Sequence, residues 1–486
     1  MGRVGLLVGI GLLWPVTWAW SQEPSLRPNI LLILVDDLGY GDLSLHGCQE
    51  VETPHLDRLG RSGIRCTQGY VCSPYCSPSR AGILTGRYPT RFGHEFNPHV
   101  GPEEKLGLPL SEKTLADHLR GAGYATACIG KWHLGFARPY HPQRRGFDFF
   151  YGFLVGAHNY RLKKDAKPLF RTTQSENLIY RGEQWEPTDG FLTDRLTDEA
   201  IRFMDQHKDR PWFVYLSYNA VHTPLEVPEG IENRLPRPID DPERRAYLLL
   251  LLNLDDAIGR LQAFLGKAGL ERKTLVIFLS DNGGSGQKGY LAYNAARNTP
   301  LRGHKGQVLE GGIRVPFFWV WPGVLPAGQT YDRPIVALDI LPTACHLAGA
   351  PLPSPGDGVN LWPYLRGEKQ GDPHEALYWR FGPQKAIRQG DWMLVDWRDF
   401  PSRRNSGWEL YHLGRDPAQK QNLAAQQPER VQQMAQKWQE WDGLNVAPLW
   451  RGSPTEDPEG NPKPGQKAPR QPKPKAQLFQ QQQEEQ

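Results

Sequence analysis

The sequence predicts an α/β fold: a large, mostly parallel sheet between helices, with a small α+β C-terminal subdomain. Three observations carry the architecture. Short apolar runs alternate with helix-period stretches as far as about residue 370. Those runs are apolar at nearly every position, the pattern of strands covered on both faces. Beyond residue 370 the pattern becomes one of alternating strands and a turn, closed by one helix.

In chain order, "NILLILV" (29–35) reads as a central parallel strand. Thr53-Pro54 reads as an N-cap with proline at the first helical position. Ser111 opens a helix through "SEKTLADHLRGAG", which ends on glycine. "YATACIG" (124–130), "WFVYLSY" (212–218), "TLVIFLS" (274–280) and "VPFFWVW" (315–321) repeat the character of the first strand, and "LTDRLTDEAIRFMDQH" has apolar residues at helical spacing. The 246–265 stretch is the most apolar segment of the interior. Asp255 and Asp256 and the i, i+4 spacing make it a buried amphipathic helix and not a membrane span. "ALYWRF", "KAIRQGDWMLVDW" and "WELYHL" read as antiparallel strands with a turn at Gln389-Gly390, and "PERVQQMAQKWQEW" as the closing helix.

The organisation that follows is a signal peptide over 1–21, a large α/β domain over 22–370, a C-terminal subdomain over 371–450 and a disordered tail over 451–486. Arg3, the apolar run Val4–Thr17 and the small residues Ala19 and Ser21 form an export signal, and the run is too short to span a bilayer. The mature chain is therefore expected to be exported, to a bacterial periplasm or the exterior, without stable membrane insertion. The absence of any Asn-x-Ser/Thr sequon favours a bacterial source over a glycoprotein. The tail is rich in Pro, Gln, Lys and Glu and has too little apolar content for a core. A net charge of +4 on 486 residues is not the footprint of a nucleic-acid binder, so no nucleic-acid partner is expected.

Chemistry gathers behind the strands, where open parallel sheets bind ligands. Asp36-Asp37 follows the first strand, Asp281-Asn282 follows "TLVIFLS", Lys131-Trp132-His133 follows "YATACIG", and His222 lies just after "WFVYLSY". Three carboxylates and an amide are hard oxygen ligands, suited to Ca²⁺ or Mg²⁺. Asp36 and Asp37 would repel in a dry cleft without a cation between them. Lys131 and His133, two apart, face the same way on extended backbone. His304 and Lys305 sit in the Gly-rich stretch "LRGHKGQVLEGG".

Six cysteines show no zinc spacing. Cys76 opens "CSPSRAGILTG", so it meets the positive end of a helix, with Arg80 one turn along the same face. Cys72 has only Cys76 at that position. On the residues alone, Cys76 is a disulfide partner, a ligand or a nucleophile.

"CSPSRAGILTGR" resembles the Cys-x-Pro-Ser-Arg signature of the formylglycine-dependent sulfatases, of arylsulfatase and N-acetylgalactosamine-6-sulfatase type. "NILLILVDDLGYGDL", "GKWHLG", "HTPLEVP", "SDNGG" and "LRGHKGQVLEGGIRVP" resemble that family's other motifs in its order. The resemblance covers roughly residues 28–445. It implies the alkaline-phosphatase-like fold and conversion of Cys76 to Cα-formylglycine by a maturation enzyme. It implies one Ca²⁺ held by Asp36, Asp37, Asp281, Asn282 and residue 76. It also implies that Arg80 stabilises the hydrated aldehyde and that Lys131, His133, His222 and Lys305 surround the sulfate. The expected activity is hydrolysis of sulfate esters, of sulfated carbohydrates or aryl sulfates. The competing readings are a phosphodiesterase or phosphonate monoester hydrolase on the same scaffold, and a non-catalytic binder of sulfated glycans.

Overall fold

The computed structural model describes residues 26–98, 106–164, 175–176, 178–288, 293–352, 354–398 and 406–452. The signal peptide (1–21) and the tail from 453 onward lie outside the described residues.

The main sheet contains β1 (Asn29–Val35), β2 (Ile64–Cys66), β3 (Ala125–Lys131), β4 (Phe149–Phe153), β5 (Tyr180–Arg181), β6 (Gln184–Trp185), β7 (Trp212–Ser217), β8 (Thr274–Ser280), β9 (Phe317–Val320) and β10 (Gln329–Tyr331). Their spatial order is β6-β5-β4-β3-β7-β1-β8-β9-β2-β10. The central five, β4-β3-β7-β1-β8, are all parallel. Their side chains alternate between two cores. Ile30, Leu32 and Leu34 face one, and Leu31, Ile33 and Val35 face the other. This double burial is why the strands are apolar at every position.

Helices α1 (Pro54–Arg61), α4 (Leu192–Gln206) and α5 (Pro242–Lys267) cover the second face, and α2 (Cys76–Thr85), α3 (Leu115–Gly121) and α6 (Ile340–Ala348) cover the first. Two expectations are corrected here. The third helix starts at Leu115, not Ser111. Thr114 forms a full capping box with Asp117, satisfying two of the end's free N–H groups, which Ser111 is placed too early to do. The "VPFFWVW" strand is antiparallel to β8, because an apolar run reports burial on both faces and not direction. No described helix is long and apolar enough to cross a membrane.

The C-terminal sheet is an antiparallel meander of β11 (Leu377–Phe381), β12 (Gln384–Gln389), β13 (Trp392–Asp396) and β14 (Glu409–His412). Helix α7 (Pro428–Asp442) packs on it, with Trp438 Nε1 donating to Trp379 C=O at 3.0 Å. Trp379 is 1% exposed and donates from Nε1 to Val71 C=O at 2.7 Å, which anchors this sheet to the main domain. Truncating such a buried Trp costs about 3–5 kcal/mol. Beyond α7 the chain returns across the main domain as a strap. Val446 N–H donates to Thr90 C=O and Leu449 N–H to Gly93 C=O, while Trp450 Nε1 donates to the carbonyls of Phe96 and Asn97.

Candidate active site

The carboxyl ends of β3, β7, β1 and β8 lie side by side, so their following residues converge. β1 delivers Asp36 and Asp37, β8 delivers Asp281 and Asn282, and β3 ends on Lys131 itself. All five are essentially fully buried. Cys76 is the first residue of α2, whose N-terminal end points into this cluster. Its Sγ lies 3.7 Å from Asp36 Oδ1.

Cations answer the carboxylates one for one. Lys131 Nζ donates to Asp36 Oδ2 at 2.5 Å, Lys305 Nζ to Asp37 Oδ2 at 2.8 Å, and Arg80 Nε to Asp281 Oδ2 at 2.9 Å. Arg80 also donates to Ser217 Oγ at 2.5 Å and to Lys131 C=O. Burial pushes the Asp36 carboxyl up, but Lys131, with His222 and Arg80, outweighs it and holds the group below its ordinary value. Burial, with Asp36 adding to it, raises Asp281. Burial likewise pushes the Cys76 thiol up to about 12, so an unmodified thiol here stays protonated at neutral pH.

Both histidines are in place. His222 Nδ1 donates to Thr223 C=O at 2.7 Å, which leaves Nε2 facing Asp37 Oδ2 at 3.5 Å. His133 lies among Lys131, Arg80 and Lys305. Burial first, then those charges, holds it well below its ordinary value, so it is neutral. Its Nδ1 is buried with no hydrogen-bond partner among the described residues. The extended-backbone argument for His133 is corrected. It has φ 57°, a left-handed turn, so the Lys131 and His133 side chains meet through a bend and not through strand alternation.

Ligand atoms of Asp36, Asp37, Cys76 and His222 lie within 4.8 Å of one another. Asp281 and Asn282 join through Asp37, whose N–H reaches Asp281 Oδ1 at 3.3 Å and whose Oδ1 accepts from Asn282 Nδ2 at 2.7 Å. Asn282 Oδ1 is buried without a partner among the described residues. An orphaned amide oxygen among three buried carboxylates is the donor set of a hard divalent cation, and it fits Ca²⁺.

Asp36, Asp37, Cys76, Arg80, Lys131, His133, His222, Asp281, Asn282 and Lys305 thus reach one cleft, whereas the His304 ring turns to Lys305 C=O and Gln287. Four that matter were missed. Ser217 holds Arg80; Ser77 and His94 sit behind His133; Gly156 packs on the His133 ring. Ser217 ends its strand as the other site strands end, which was a usable signal. The others carry none in their own neighbourhood. All six cysteines are unpaired, so Cys72 and Cys76 do not form a bridge.

Comparison with known proteins identifies the family. The sulfatase family profile matches residues 28–350, and the profile described as N-sulphoglucosamine sulphohydrolase, C-terminal, matches residues 304–442. The chain belongs to the sulfatase family. It is a sulfuric ester hydrolase. Mouse (Mus musculus) steryl-sulfatase is 36% identical over 431 residues, covering 72% of this chain and 67% of that protein. Bovine (Bos taurus) arylsulfatase A is 34% identical over 410 residues, covering 78% and 77%. The crystal structure of Ps i-CgsB in complex with k-i-k-neocarrahexaose is 32% identical, with a TM-score of 0.79 over 88% of this chain and 96% of that one.

Proposed function

We propose that this sulfatase removes sulfate from sulfated carbohydrates. In this reading residue 76 is carried as Cα-formylglycine, and Ca²⁺ is held by Asp36, Asp37, Asp281, Asn282 and residue 76. The observation that supports the site is the convergence of Cys76 at a helix N-terminus with three carboxylates, Arg80 and two lysines in one buried cleft. The substrate class is supported by the likeness to Ps i-CgsB, whose structure was solved in complex with k-i-k-neocarrahexaose.

When present, the hydrated aldehyde supplies two hydroxyls on one carbon and the cation supplies fixed positive charge for a sulfate oxygen. The chain's own groups do the rest. Lys131 and Lys305 bring ammonium charge into a water-poor cleft, where it attracts a sulfate more strongly than in solution. Neutral His133, with Nδ1 unpartnered, accepts the proton of the attacking hydroxyl. His222 Nε2 and Lys305, both beside Asp37 Oδ2, would stabilise or protonate the leaving oxygen. Arg80 fixes Asp281 and Ser217 at the helix start and stabilises the diol.

The same reading takes residues 1–21 as a removed export signal, 22–370 as the catalytic domain and 371–450 as a subdomain, in a bacterial periplasm or outside the cell. It also takes a formylglycine-generating enzyme as an earlier partner. The test is peptide mass spectrometry of the fragment carrying residue 76. Conversion lowers its mass by about 18 Da, whereas oxidation up the thiol ladder raises it. Sulfate release from a sulfated galactan oligosaccharide, measured beside an aryl sulfate, tests the substrate class. An unmodified thiol in fully active protein refutes the nucleophile. Release from the aryl sulfate with none from any sulfated sugar refutes the substrate class.

A further inference from the structure

His133 holds a costly backbone. A non-glycine residue in the left-handed region costs of order 1–3 kcal/mol and persists only where the surroundings fix it. Two contacts hold its backbone. Its N–H donates to Leu154 C=O at 3.2 Å, and its carbonyl lies 2.6 Å from Ser77 Oγ. Ser77 Oγ is also 2.6 Å from His94 Nε2. Ser77 and His94 are fully buried.

Counting hydrogens fixes the direction of this chain. The His133 carbonyl only accepts, so the Ser77 hydroxyl must donate its one hydrogen there. Ser77 Oγ then accepts, and His94 must carry its proton on Nε2. His94 Nδ1 has no partner of hydrogen-bond geometry among the described residues, although the Gly107 backbone approaches the ring and works against burial. Burial holds His94 near a value of about 3, so the ring is neutral at any working pH. The ring is braced edge-on by Trp450 at 4.7 Å. On the other side the Ser77 N–H donates to Asn97 Oδ1 at 3.1 Å. Ser77 is therefore tied to residue 76 by the main chain and to His133 by its hydroxyl.

We propose that Ser77 and His94 are positioning residues for His133: the Ser77 hydroxyl, oriented by His94, locks the turn that presents the His133 ring to the cleft. This rests on His133 handling the proton in the reading above. The side chain at 77 is the variable position of Cys-x-Pro-Ser-Arg, so replacing it leaves the other signature residues intact.

The test is steady-state kinetics on 4-nitrophenyl sulfate with Ser77→Ala, Ser77→Thr, His94→Gln, His133→Ala and the double variant Ser77→Ala/His133→Ala. Each kcat is divided by the fraction of residue 76 converted, measured by mass spectrometry. Ser77→Ala should lower kcat by about tenfold or more with KM changed less than about twofold, as sub-ångström misplacement of a reacting group does. Ser77→Thr keeps the hydroxyl, and His94→Gln keeps an N–H donor; both should recover most of the rate. The deciding reading is the double variant. If Ser77 acts through His133, its loss costs nothing further once His133 is gone. A purely structural serine would cost the same in either background, and that outcome overturns the proposal. So does a Ser77→Ala kcat within about twofold of the parent while His133→Ala is crippled. If His133→Ala itself keeps full rate, the role given to His133 fails and this proposal fails with it, a pattern distinct from the other two.

Discussion

Replacing Gly156 with alanine should disable the site while leaving the fold intact. A methyl built at Gly156 falls 2.8 Å from both Cε1 and Nε2 of His133. Ordinary contact begins near 3.4 Å, so the ring must retreat by roughly 0.6 Å. It has little room to do so, because its backbone is pinned at Leu154 and Ser77 and the residue is 6% exposed. Gly156 itself does not use a positive φ, so alanine fits its backbone. Gly→Ala at such a position tends to stabilise by about 0.4–1 kcal/mol through the unfolded chain. That gain offsets part of the local strain, and the melting temperature should move by only a few degrees. The rate should not be spared. A displacement of this size at a proton-handling group lowers kcat by about 10- to 100-fold. The assay is 4-nitrophenyl sulfate turnover per converted residue 76, run beside thermal unfolding. Parental kcat in a folded Gly156→Ala protein would refute the placement of the His133 ring in the reacting geometry.

Three further outcomes are expected. Cys76→Ser should stall after one sulfation, because serine has no second hydroxyl on its carbon; sustained turnover, measured against enzyme concentration, would count against the mechanism. Chelation followed by graded Ca²⁺ should raise the melting temperature with ligand concentration, by an amount corresponding to about 2.7 kcal/mol at one hundred times Kd, and Asp281→Asn should shrink that response. The third concerns pH and stability away from the site. Burial pulls the His374 imidazole down, but Asp339, 2.8 Å away, outweighs it and holds it above its ordinary 6.5. A raised folded value means the stabilisation is complete below pH 6.5 and is lost as pH rises through the folded value. The stability difference between parent and His374→Gln, from urea unfolding, should therefore be largest near pH 6 and smaller at pH 9; a difference that grows with pH would reverse the assignment.

Most of the site was legible because it is built from strand ends. Asp36, Asp37, Lys131, Asp281 and Asn282 each follow or end an apolar run, and parallel strands in one sheet bring their carboxyl ends to one edge. Cys76 and Arg80 were legible because one helical turn separates them. What stayed hidden depends on tertiary approach. His94 reaches Ser77 from a loop 17 residues away, and Gly156 matters only because a histidine ring lies over it. The helix start at Thr114 was a different case. Thr-x-x-Asp stood in the sequence, but the earlier Ser111 took its place in the reading. For β9, hydrophobicity identified a buried strand and was silent on its direction, which is set by its partners β8 and β2.

The strap that ends at Trp450 gives this molecule a timetable. Trp450 holds the carbonyls of Phe96 and Asn97, and Asn97 in turn receives the Ser77 N–H at the start of α2. Once that fastening is made, Cys76 is 2% exposed and another protein's active site has no path to it. The fastening is among the last described parts of the chain to be synthesised. At about 5–20 residues per second, residue 76 emerges roughly twenty to seventy seconds before its clasp exists. In the reading proposed above, a modifying enzyme would act before that closure, on a chain still being made or still unfolded. Faster closure of the strap would then yield more folded protein and less mature enzyme.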